Sequence, residues 1–187
     1  MKSLVLTALA SALMVAPAAA QTPLAVISGT VNGEPRQWYV LEQSGLPSAD
    51  WRAENGSATM RILGYPEPHG PLTSDGHRRG DTPQGALTID ILFMGSGTRR
   101  RAFDISARLE GARGVHRNDP MMEIGTTRFV IEEERIEGDL LHVTGRLEAD
   151  LYGAQVGRRT LDLDDHKALT ADIALTLAPA PVVPPSP

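Results

Sequence analysis

The chain contains no cysteine. That excludes disulfide staples, thiolate-ligated zinc or iron–sulfur centres, and a cysteine nucleophile. Aromatic residues are scarce at 4%, with two Trp, three Tyr and three Phe, which leaves little material for aromatic platforms of the kind on which sugars stack. Positive charge is not in excess: Lys+Arg 18 against Asp+Glu 23 gives −5, so no overall cationic field draws in nucleic acid. Long apolar runs are missing too. The longest, Leu4–Ala16, has 13 residues, whereas a helix spanning a bilayer needs about 20.

What is present is first an address. Met1-Lys2-Ser3 is a positive n-region, Leu4–Ala16 an apolar core, and Pro17-Ala18-Ala19-Ala20 an A-x-A cleavage site. Residues 1–20 therefore read as a signal peptide, with the mature chain starting at Gln21. No transmembrane segment is expected after its removal. The compartment expected is the periplasm of a Gram-negative bacterium, or the outside of the cell. Hydrophobic residues make up 41% of the chain and charged residues 22%, a composition of folded rather than disordered proteins. Without disulfides, stability must come from core burial. A chain of this size manages that, burying about 68–70% of its unfolded surface.

Period-two alternation dominates the mature chain, and no helical period is sustained. In Asp139–Tyr152 the residues Leu141, Val143, Gly145, Leu147, Ala149 and Leu151 share one face, while His142, Thr144, Arg146, Glu148 and Asp150 share the other. Ala168–Leu177 repeats the pattern. An apolar face backed by a polar one is the mark of an antiparallel sheet solvated on one side. Three hairpins are expected. Val26–Val31 and Pro35–Glu42 flank Asn32-Gly33, a pair that tolerates positive φ. Ala86–Met94 and Arg101–Leu109 flank Gly95–Thr98, with Phe93 facing Phe103. Thr127–Arg135 and Leu140–Tyr152 flank Glu137-Gly138-Asp139. With Ser57–Leu63 the total is about eight strands. The expected fold is all-β, a single-domain antiparallel β-sandwich over residues 21–177, with an up-and-down, lipocalin-like barrel as the alternative. Pro66–Gly85 and Gly111–Gly125 read as loops. Residues 178–187 hold five prolines in ten and read as an extended, mobile tail.

Candidate sites are few. The five histidines show neither H-E-x-x-H nor H-x-H spacing. A loop-based hydrolase would need His69, His77, His116 or His166 to meet a carboxylate and a Ser or Thr. Asp162, Asp164, Asp165 and His166 form the densest acidic cluster and could begin a Ca²⁺ shell of six to eight oxygens, although the EF-hand spacing is absent. A polar connection into the last strand explains the same residues. Gly95–Arg101 lacks the P-loop pattern and reads as a hairpin tip.

Charge is unevenly spread. Residues 21–77 carry 3 basic and 6 acidic groups, residues 78–128 carry 9 and 6, and residues 129–187 carry 5 and 11. Arg78, Arg79, Arg99, Arg100, Arg101, Arg113 and Arg117 concentrate at the loop tips of the middle block. Gathered at one end of the fold, they would attract an anionic envelope polymer. The expected function is thus that of an exported, non-catalytic envelope accessory or binding protein. A small-molecule carrier with a barrel cavity is the alternative, and a His/Asp or metal-dependent hydrolase a third reading. No cofactor is expected beyond the Ca²⁺ just considered.

Overall fold

The computed structural model describes residues 23–43, 46–54, 56–68, 82–95, 101–112, 114–121, 123–154 and 160–181. Residues 1–20, the expected leader, lie outside these. The described chain contains no helix, and so none long and apolar enough to cross a membrane. It forms twelve strands: β1 Ala25–Val31, β2 Glu34–Val40, β3 Glu42–Gln43, β4 Leu46–Pro47, β5 Ala49–Glu54, β6 Ser57–Gly64, β7 Leu87–Met94, β8 Arg101–Glu110, β9 Val115–Arg117, β10 Thr127–Glu137, β11 Leu140–Ala154 and β12 Asp162–Leu177. The fold is all-β and antiparallel. The strands beyond the expected eight are mostly short pieces, such as β3, β4 and β9, too brief to show an alternation.

Ten strands make one sheet in the order β2-β1-β12-β11-β9-β8-β7-β6-β5, with β10 pairing β11 beside β9. The sheet curls into a half-barrel around its own apolar face, an arrangement between the sandwich and the closed barrel expected from alternation. Its two ends approach each other. Tyr39 at the β2 edge exchanges backbone hydrogen bonds of 2.8 and 2.9 Å with Tyr65, just beyond β6. Long, twisted strands let one sheet wrap in this way: β11 has 15 residues and β12 has 16.

The core fills the curl. Ile27, Trp38, Ile62, Ile89, Leu147 and Ala171 are among its essentially inaccessible side chains. Inward residues of β11 and β12 are those the alternation assigned. The Asn32-Gly33 turn has φ of 52° and 79°, as a tight hairpin of twisted strands requires. One expected pairing fails. The β7–β8 register shifts between Leu92 and Phe93, so Phe93 sits opposite Ala102. Phe103 becomes the extra residue and is 75% exposed. Phe93 instead meets Phe129 edge to face, with ring centroids 6.3 Å apart.

The start of the expected tail is also tied down. The Trp51 N–H donates to Ala178 O at 3.2 Å, and the Ala180 N–H donates to Trp51 O at 2.8 Å. Residues 178–180 thus extend alongside β5, while 182–187 lie outside the described residues.

Candidate functional site

At one end of the half-barrel the strands β1, β2, β8, β9, β11 and β12 leave a cleft of about 1420 Å³. Its walls include Gly85, Gly111, Gly114 and Gly153, which contribute backbone but no side chain. Trp38 forms part of the floor, its indole N–H donating to Gly85 O at 2.9 Å. Room for that ring comes from Gly64, where a Cβ would stand 2.7 Å from Trp38 Cβ.

His116 and Asp165 meet in this cleft, Nε2 to Oδ1 at 2.9 Å. The register of the sheet explains how. The β11–β12 ladder passes from Tyr152↔His166 directly to Gly153↔Asp162, so Leu163–Asp165 form a bulge. On its other edge Gly153 pairs His116. Gly153 therefore stands between the two partners, and a Cβ there would come within 2.5 Å of Asp165 Oδ2. Only glycine lets the carboxylate lean across to the imidazole. A carboxylate accepts, so His116 donates through Nε2. Its Nδ1 is buried and has no hydrogen-bond partner among the described residues.

A second cluster lies beside the bulge. His166 Nε2 is 3.1 Å from Asp150 Oδ1, and the Thr126 hydroxyl donates to Asp150 Oδ2. The Tyr152 and His166 rings lie 5.2 Å apart. The Thr126 hydroxyl, then His166, hold the Asp150 carboxyl below the usual carboxylate range. A carboxyl whose pKa is depressed by folding stabilises above its unfolded pKa, and that contribution is lost as pH falls through the folded value. Asp150→Asn is accordingly expected to lower the melting temperature at neutral pH and to shrink the loss on acidification. Thermal unfolding followed by circular dichroism from neutral into acid pH checks this. An acid limb unchanged from the parent's would count against it.

No family model, curated protein or solved structure matches the chain. The site is therefore read from its own chemistry.

Only some of the residues singled out from sequence are among those described. Arg78, Arg79, Arg99, Arg100 and Arg113 lie outside the described residues, as do His69 and His77. Arg101 opens β8, opposite Met94. Arg117 pairs with Arg108 on the same strand, seven residues from Arg101 and so roughly 23 Å along it. These two arginines do not form one end patch. The acidic cluster is likewise divided. Asp162 Oδ1 accepts the Asp164 N–H at 3.1 Å, Asp165 turns to His116 and His166 to Asp150. Among the described residues no three His, Asp or Glu side chains are placed to hold a metal ion. The bulge at Leu163–Asp165 breaks the alternation that would otherwise set Asp162, Asp164 and His166 on one face.

The cleft and Lys167 escaped the sequence reading, although one signal was legible. Lys167 stands in phase with the inward residues Leu169, Ala171 and Ile173 and is the one charge in that phase between residues 167 and 177.

Proposed function

We propose that this is an exported, non-catalytic binding protein that seats a component of the bacterial envelope in the end cleft. The observation that carries the reading is the cleft itself, a preformed hollow of about 1420 Å³ framed by the ends of six strands. Sites that take ligands are concave, largely preformed and few in a protein. Export rests on the leader and its A-x-A site.

The histidines support binding over catalysis. His116 spends Nε2 on Asp165, and its Nδ1 is shielded from solvent, so neither nitrogen is offered to a substrate in the cleft. In the Thr126–Asp150–His166 cluster the hydroxyl and the imidazole both turn to the same carboxylate rather than to each other, so the hydroxyl-to-imidazole contact of a histidine-activated nucleophile is not made there.

A cleft-filling variant tests the reading. Ala112 lines the cleft and is exposed, so Ala112→Trp fills space without disturbing the core. Melting temperatures of the mature protein are measured against fractions of a Gram-negative envelope extract, since a ligand of the folded state raises them by mass action. The expected result is a rise for the parent with at least one small-molecule fraction and none for Ala112→Trp. Equal shifts in both proteins, no shift with any fraction, or turnover of a bound compound would overturn the proposal. N-terminal sequencing of periplasmic protein should begin at Gln21.

A further inference from the structure

The hydrogen-bonding groups of the cleft are unequally satisfied. Each acid of its lining already holds a donor: Glu110 takes Arg108 at 2.5 Å, Asp165 takes His116, and Asp162 takes the Asp164 N–H. Arg36, a cation of the lining, is bound at 2.9 Å to Glu34. That pair is exposed on both sides, 55% and 73%, and such pairs contribute little, so Arg36 is readily recruited elsewhere. Lys167 differs from all of these. It lines the cleft and is half-buried, and among the described residues its ammonium makes no hydrogen bond or ion pair. Its three donors are thus unused among the described residues.

The placement of Lys167 is not that of an ordinary surface charge. It pairs with Leu151 across the β11–β12 ladder and precedes Leu169 on the apolar face. Leu151 and Leu169 are buried to 0% and 1% exposure. The lysine stem lies on the same face as these core residues, with its head at the cleft, the posture of an amphipathic side chain that keeps its charge wet. At Lys167 β12 is held by β11 alone, since the β1 ladder ends at Val31↔Leu169; an inward charge can guard such an edge, but that task does not by itself require a residue that lines the cleft. Lys167 is also the only lysine beyond Lys2.

We infer that the cleft takes an amphipathic anion, with a carboxylate or phosphate head on Lys167 and Arg36 and an apolar body against Pro35, Pro66 and Leu109. The ammonium supplies charge-assisted hydrogen bonds, which are the strong ones in a partly desolvated site. This inference rests on the binding reading above and narrows it to one chemical class.

The test uses four probes on the mature protein: decanoate, decyl phosphate, decanol and inorganic phosphate, all below micellar concentration. Isothermal calorimetry gives the affinities. Decanoate and decyl phosphate are expected to bind about tenfold or more tightly than decanol, as one charge-assisted contact implies. Lys167→Met should bring both anions down to the level of decanol, while Lys167→Arg should stay within a few-fold of the parent. Equal binding of anions and decanol, unchanged by Lys167→Met, overturns the inference and leaves the cleft reading standing. Inorganic phosphate binding as tightly as decyl phosphate also overturns it, since no apolar body would then be read. If none of the probes binds the parent, the inference falls, and the Ala112→Trp comparison judges the cleft separately. Should Lys167→Met fail to fold, the ranking of the probes on the parent still decides.

Discussion

Gly29→Ala is expected to cost about 3 kcal/mol or more, the upper end of the range for overpacking, and to leave little folded protein at modest denaturant. Gly29 sits in β1 between Arg36 of β2 and Ala171 of β12. The position that a Cβ would take overlaps Thr170 O and lies 2.9 Å from Ala171 Cα. Both obstacles are backbone, so no rotamer change relieves them. The added methyl must push β1 off β12, and with β1 goes the β2 hairpin that carries Trp38 into the core. Gly33→Ala is the matched control. Gly33 has φ of 79° and open space around it, so alanine there meets only the left-handed backbone penalty of about 1–2 kcal/mol. Urea unfolding of the two variants against the parent measures the difference. A Gly29→Ala midpoint equal to that of Gly33→Ala would mean that β1 and β12 pack more loosely than described.

Asn118 is the second position with a large expected effect. Just past β9, the sheet loses a strand partner for β8, and the Asn118 side chain takes its place. Its Oδ1 accepts the Ala107 N–H at 2.7 Å, its Nδ2 donates to Ile105 O at 2.6 Å, and its own N–H donates to Ala107 O at 3.3 Å. The residue is 2% exposed. Asn118→Ala strands a donor and an acceptor together, and each unsatisfied group costs about 1–3 kcal/mol, so a loss of about 2–4 kcal/mol is expected. Asn118→Asp should be at least as damaging at neutral pH despite its matching shape. It keeps the acceptor, yet it sets a buried carboxylate against the Ile105 carbonyl. That ranking separates hydrogen bonding from packing: a well-tolerated aspartate would show that volume alone matters here. Melting curves of both variants at neutral pH provide the check.

The two positions were not equally legible beforehand. Gly29 lies in a strand predicted from Val26–Val31, but nothing in that run says that its neighbour's backbone comes so near. Asn118 falls in a stretch that sequence reads only as irregular, because a side chain standing in for a strand leaves no periodic trace. Phe103 shows the same limit within a well-predicted hairpin. Alternation put it opposite Phe93, and a one-residue bulge moved it out to solvent, since an extra residue reverses the facing of everything on one side of it.

The candidate site followed the same rule. Its elements were visible: the β1–β2 hairpin around Asn32-Gly33, the two long strands at the C-terminal end, and the acidic run at Asp162–His166. Their meeting was not. His116 is 49 residues from Asp165, and what joins them is the pairing of Gly153 with β9 on one edge and β12 on the other.

By itself the amino-acid sequence determined the class of secondary structure, the main hairpins, and the inward faces of β11 and β12, because side chains alternate along a strand and water sorts them by polarity. Only the tertiary structure decided that ten strands make a single curled sheet, that its end stays open as a cleft, and that Lys167 reaches that cleft with no partner among the described residues. Those features depend on which strands are neighbours and on where a register slips, and such long-range pairings have no local signature in the chain.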